Sequence, residues 1–441
     1  MPNARLQCGD VGKDRVGAQF RAGLEFADWI RRGIRGRGDI FPGNGARRAE
    51  RTAATKRAFS NIGWSGQAIF WNWGGILNRL KLISLGLVGT MFVTFWGFGC
   101  ATIAGLDEEF QHAPECNPTV APAAPSVQNA GDSIEFSTTI RTVDLDEEDD
   151  VPRFGYDLDG KCSCTVDGPS CTRPNFVDPK KETCDDARGL DNGAGIALSR
   201  VSTLAAGSIS SIVVNEGANQ GLWSLIIRVR DYSGMPNDDH VKVAIYETPG
   251  LMKPNWDGLD TWPISKATVG PSGTIDDPVN FDDKAYVHDG ILVARIPKGR
   301  LVLRAPTAHL PIDLVDLIFS AKITPGSGGN WRLVEGTLAG KWSLPALFKD
   351  LSQFRYGSDV MKKLCRDDIL YLQVKNLFCS ATDILDAATA AGQTECNAIS
   401  FGMRFDTESI QLGAVADPLP DPPPECDPGY DPTSDTCMKV Q

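Results

Sequence analysis

Apolar and polar residues alternate with a period of two in several short stretches between residues 131 and 415. Ile134, Phe136, Thr138 and Ile140 share one parity. Trp223, Leu225, Ile227 and Val229 stand opposite Ser224, Arg228 and Arg230, and Val241, Val243 and Ile245 form a third run. The clearest comes late, where Ile399, Phe401, Met403 and Phe405 alternate with Ser400, Gly402 and Arg404. Tyr286 to Arg304 reads as two strands around a turn at Pro297-Lys298-Gly299, and 314–324 and 331–342 add two more. Strands with one buried and one wet face are the antiparallel pattern. Many of them, separated by Gly, Pro and Asp turns, build a sandwich or a barrel.

A helical period interrupts this pattern once, over 343–390. Ser343 suits an N-cap before Leu344, Leu347, Phe348, Leu351 and Phe354, spaced for one helix face. Asp367 and Asp368 open a second helix with a stripe of Leu370, Val374, Leu377, Phe378 and Leu385. The expected fold is therefore mainly β: an antiparallel, jelly-roll-like β-sandwich over 131–415 with a two-helix insert.

Charge divides the chain of 441 residues into unlike parts. Residues 1–81 hold 15 Lys/Arg against 6 Asp/Glu, and the remainder 29 against 50. An acidic body argues against nucleic-acid binding. The sign changes across an uncharged run from Leu82 to Leu106, long enough to cross a bilayer as a helix. Arg79 and Lys81 precede it, and Asp107, Glu108 and Glu109 follow, so residues 107–441 are expected to be exported. Two readings compete over 76–106. One is a lasting single-pass anchor. The other, favoured here, is a signal peptide processed at Gly99-Cys100, with Cys100 lipidated as the mature N-terminus. On that reading residues 1–75, Arg- and Gly-rich and without sustained periodicity, are a disordered head or sequence upstream of the true start. Residues 107–130 read as a tether and 416–441 as a Pro-rich linker with a small terminal loop.

Of 12 cysteines, ten lie in the exported part once Cys8 and Cys100 are set aside, and an even number outside the cytoplasm reads as disulfides. Cys426 and Cys437, alone after the proline-rich linker, are expected to close their own loop. Cys162, Cys164, Cys171 and Cys184 could instead hold zinc, but Cys-x-Cys is a poor match to the usual spacing and export favours oxidation.

No nucleophile elbow, zinc-protease helix or phosphate loop occurs, and the four histidines carry no motif. Acidic clusters carry the best local chemistry. Asp157-Leu158-Asp159-Gly160 and Asp191-Asn192-Gly193 place hard oxygen ligands one residue apart before a glycine, which suits Ca²⁺. Asp157, Asp159, Asp191 and Asn192 are the candidate ligands, set against a merely solvated acidic loop. Trp256, Asp257, Asp260 and Trp262 lie in the turn-rich segment NWDGLDTW and form a candidate aromatic platform for a glycan, set against ordinary core packing.

The stretches FGCATIAGLDEEF, DLDGKCSC, GLDNGAG, NWDGLDTW and CNAISFGMRF resemble uncharacterised surface lipoproteins of myxobacterial type. That resemblance implies attachment to the cell envelope, at the outer membrane, and no particular activity. A weaker resemblance is to concanavalin-like and laminin-G-like jelly rolls, which implies calcium and sugars as ligands. The expectation is a lipid-anchored binding or structural module whose partners are the membrane and a glycan or another envelope protein. An envelope enzyme acting on glycans is the alternative.

Overall fold

The computed structural model describes residues 116–126, 133–147, 152–163, 167–174, 185, 188–204, 209–357, 362–366, 368–386, 394–420, 429 and 431–437. The basic head, the apolar run 82–106 with Cys100, and Cys426 lie outside these. The chain divides into two units, Met1–Val93 and Thr94–Gln441, and all described residues belong to the second. Among the described residues no helix is long and apolar enough to cross a membrane.

The expected class holds: the chain is mainly β, antiparallel and disulfide-stapled, with helices set into it. Eight long strands carry the fold: β1 (Ile134–Asp144), β2 (Leu225–Tyr232), β3 (Asp238–Glu247), β5 (Asn280–His288), β6 (Ile291–Ala305), β7 (Ala308–Pro325), β8 (Trp331–Ser343) and β11 (Ala398–Ser409). Each pairs antiparallel with the next in this order. β11 returns to β1, and the β7–β8 pairing completes the ring. The finer arrangement is thus a closed up-and-down barrel rather than the two facing sheets of a jelly roll. Short β9 (Arg355–Tyr356) and β10 (Lys362–Lys363) extend one end of β7. β4 (Thr261–Ser265) and β12 (Gln411–Ala416) form a separate parallel pair. That pair covers the outer face of β2 and β3, where Trp262 and Ile264 pack with Ile226, Ala244 and Tyr246.

Alternation fills the barrel. Leu225, Ile227 and Val229 of β2 and Val241, Val243 and Ile245 of β3 point inward with Phe401, Met403 and Phe405 of β11. The β6–β7 hairpin shows a change of phase. Leu292, Ala294 and Ile296 face inward, and so do Leu301, Leu303 and Ala305. Parity flips between the two sets while pairing with β7 stays in register. Pro297 and the left-handed Asp316 (φ 51°) stand at the flip, opposite each other. Gly299 leaves room there, since a Cβ would come within 2.7 Å of the Leu317 methyl and 3.1 Å of that of Ile245. The Pro297-Lys298-Gly299 segment therefore lies inside a bent strand and is not a turn. The turn is Asp289-Gly290, whose φ values of 50° and 80° make a two-residue hairpin loop.

Up-and-down order sends alternate connections to opposite ends. The connections 233–237, 289–290 and 326–330 are short. At the other end lie the four α-helices of the described residues: α1 (Gly193–Leu204) and α2 (Ser211–Asn219) between β1 and β2, and α3 (Leu344–Gln353) and α4 (Ile369–Ser380) between β8 and β11. α2 touches both β1 and β6, which lie apart in the ring, so it crosses this end of the barrel. It is fixed by Asn215, whose amide bonds both backbone groups of Val143, and by Trp223 Nε1 donating to Val214 O at 2.8 Å. α3 and α4 form as expected. α1 and α2 were not legible as helices, because α1 is small-residue-rich and buried on most sides, with no polar face to set a period.

Two of the expected appendages are part of the body. Residues 116–126, read as tether, are docked. Cys116 is bonded to Cys162, Thr119 exchanges backbone bonds with Arg188 and Asp157, and Tyr286 and His288 bond the carbonyls of Pro122 and Ala123. Cys437 is bonded to Cys379 of α4 instead of closing a loop with Cys426. Asp435 accepts from Tyr371 and Lys375 of the same helix, so polar contacts hold the tail where a local loop would leave it free. Cys171 joins Cys396, and with Cys162 also in a disulfide the zinc alternative falls away.

Gly217 of α2 lies against the backbone of Arg304, and any Cβ would overlap that carbonyl. Gly217→Ala should destabilise the protein by about 1–3 kcal/mol through overpacking. Chemical denaturation checks it, and an unchanged midpoint would show that α2 does not cap the barrel.

Candidate metal centre

The segment after β1 drapes over the outer wall of the barrel. Tyr156 and Asp191 form an isolated antiparallel bridge, and Cys116–Cys162 ties the loop between them to the docked N-terminal segment. Within the loop Asp157 Oδ1 accepts the backbone N–H groups of Asp159, Gly160 and Lys161. Gly160, with φ at 77°, lets the chain turn around that carboxylate. Asp159 Oδ1 accepts from Lys161 N at 2.9 Å, and Asp191 Oδ2 from Leu158 N at 2.6 Å.

These contacts gather Asp157, Asp159 and Asp191, whose ligand oxygens lie within 4.8 Å of one another. Three of the four expected ligands are thus brought together from segments far apart in sequence. Asn192 is not with them. Its carbonyl oxygen accepts from Gly195 N in the first turn of α1 and from Gly402 N of β11. Its amide donates to Asp146 at 3.1 Å. The side chain is committed to joining three elements and has no lone pair left for a cation.

Around the trio the electrostatics are unfavourable for bare carboxylates. Asp191 is 2% exposed, and burial drives its pKa far above the ordinary carboxylate range, reinforced by the charges of Asp383, Asp159 and Asp185. Asp159 and Asp185 are raised chiefly by burial. Asp383 is raised to about 7 by burial, although Ser400 donates to it from both its backbone N and its hydroxyl. A divalent cation among Asp157, Asp159 and Asp191 would relieve this repulsion, and an all-oxygen donor set suits calcium. Further ligands would come from backbone carbonyls and water.

Asp383 carries no motif. It is brought here because Ile384 bridges Ala398 at the start of β11, a contact that only the fold creates.

The tryptophan segment is built differently from the expectation. Trp262 is fully buried in the cluster outside β2 and β3, so it cannot floor a binding surface. Trp256 packs against it with ring centroids 5.6 Å apart and planes tilted by 47°, takes Arg141 over its ring and donates to Asn219 O. Asp260 is buried and accepts the N–H groups of Asn255 and Trp256, and Asp257 accepts from Leu259 N. Both carboxylates shape their own loop.

One further buried acid, Asp350 of α3, accepts from Asp313 N and Trp342 Nε1, and its pKa is raised by burial and by the Asp313 charge. Asp313 itself is paired with Arg300 and Lys349. This pair lies within the α3–β7 contact, not across a cleft that a glycosidic bond could enter.

No protein-family model, curated protein or solved structure matches the chain.

The raised pKa values set a pH dependence. Between about pH 4 and 7 the folded carboxylates hold protons that the unfolded chain has already released. Without a divalent cation, stability should therefore be greatest near pH 4–5 and fall as pH rises toward 7. Denaturation in chelator at several pH values measures this slope, and Asp191→Asn should flatten it. A slope of opposite sign would mean these carboxylates are not held protonated.

Proposed function

We propose that the protein is an exported, calcium-clamped β-barrel held at the cell envelope by lipidated Cys100, acting as a binding or structural module for glycans. The observation that carries the reading is the convergence of Asp157, Asp159 and Asp191 on a loop tied down by Cys116–Cys162. Disulfides suit an oxidising, exported compartment. There calcium is plentiful enough to fill sites of only millimolar to submillimolar affinity. The clamp has a mechanical sense. Asp157 and Asp159 belong to the loop after β1, and Asp191 lies just before α1, so one ion would pin two points of the long β1–β2 connection to each other. A binding role follows from the anatomy, in which long connections decorate one end and the outer wall of a rigid ring.

At calcium about 100-fold above its dissociation constant, binding adds about 2.7 kcal/mol and raises the melting temperature of the full chain by about 3–5 °C relative to chelator. Asp159→Asn should abolish most of that difference, with magnesium giving little. A melting temperature indifferent to calcium and chelator would remove the clamp from the reading.

A further inference from the structure

The bend in the β6–β7 hairpin opens a groove of about 440 Å³ on the outer wall of the barrel. That volume is within the roughly 300–1,000 Å³ of small-molecule sites. Its floor is apolar: Ile296 and Leu317, which belong to the barrel core, and Ile318, which faces outward. These two layers meet in one groove because parity flips at Pro297 and Asp316. The docked N-terminal segment forms one rim with Val120 and Ala121, and Tyr156 to Leu158 form another.

Charge on the rim is unequal in its commitments. Lys341 is paired with Asp316 at 3.3 Å. The Asp157 carboxylate collects three backbone N–H groups and belongs to the metal centre. Arg295 is exposed, its backbone N–H goes to Asp282, and among the described residues its guanidinium makes no ion pair. The groove thus has an apolar floor, polar groups interspersed along both rims and one uncommitted planar cation.

We propose that this groove binds an acidic sugar, with the uronate carboxylate on Arg295 and a pyranose face on Leu158, Pro297 and Ile318. A guanidinium presents two parallel N–H groups to a carboxylate. A pyranose ring has an apolar face and hydroxyl edges, matching an apolar floor beside Arg295 and the Asp316–Lys341 pair. A simple acyl chain would match the floor but offer no hydroxyl to the half-exposed Asp316 carboxylate, which keeps acceptor capacity beyond its single bond to Lys341. The inference rests on the reading of the barrel as a glycan-binding module and assigns it a site.

The test titrates the detergent-solubilised full chain with a galacturonate trisaccharide, in calcium-containing buffer so that an empty metal centre cannot cause failure. Maltotriose serves as the neutral sugar and octanoate as the apolar acid. Saturable binding of the uronate alone is expected. Arg295→Ala should weaken it at least ten-fold, about 1.4 kcal/mol, with an unchanged melting temperature. Arg295→Lys should recover part of the loss, and Val120→Trp at the rim should block entry. Equal binding of maltotriose, binding of octanoate alone, or no response to millimolar uronate would overturn the proposal. Uronate binding that ignores Arg295→Ala would also overturn it, while leaving a glycan-binding barrel in place.

Discussion

Closure of the ring at the β7–β8 contact leaves each of the long strands hydrogen-bonded on both sides, and the rest of the molecule is organised by that condition. A strand order that runs round the barrel forces connections to alternate between ends. The chain uses tight turns at one end and concentrates its long insertions at the other. β6 and β7 must also curve to complete the ring, and they do so at Pro297 and Asp316, where inward and outward faces exchange. Proline lacks an N–H and glycine lacks a Cβ, so the sequence Pro297-Lys298-Gly299 suits a bend in a paired strand as well as it suits a turn.

The long β1–β2 connection is held to this frame by the apolar faces of α1 and α2, which join the barrel core, and by a set of polar contacts. Asn192 is its centre, joining Asp146, the first turn of α1 and Gly402 of β11 through one side chain. Asp146 is in turn bonded by Arg153 through both backbone and guanidinium. The disulfides Cys116–Cys162 and Cys171–Cys396 fasten the same region from either side. Such a scaffold can hold several carboxylates closer together than their charges favour, because covalent and hydrogen-bonded constraints supply what packing does not. That is the condition in which a hard cation contributes to folding as well as occupying a site.

The carboxylate trio and the groove meet at a single residue, Asp157. It shapes its loop through three backbone donors, contributes to the carboxylate trio and borders the groove over β6–β8. The tryptophan segment, by contrast, is structural. Trp256, beneath Arg141, packs on the buried Trp262, and the pair seals the β4–β12 flap onto the outer face of β2 and β3.

Period-two alternation made β1, β2, β3, β8 and β11 legible, because a strand with one wet face writes its geometry into neighbouring residues. The helices α3 and α4 were legible for the same reason at period 3.6. Aspartates spaced one apart before a glycine marked Asp157 and Asp159 as ligand-like, since tight turning and oxygen donation are both local properties. Ring closure, the bend at Pro297, the capping role of Asn192, the pairing of Cys437 with Cys379 and the recruitment of Asp383 were decided by the tertiary structure alone. Each depends on which distant backbone comes alongside, and a residue's own neighbours in sequence carry no record of that. The sequence by itself determined that strands would form, what faces they would bury and which loop would carry closely spaced carboxylates. Only the closed barrel decided which carboxylates meet, which asparagine is spent on structure, and where the wall opens.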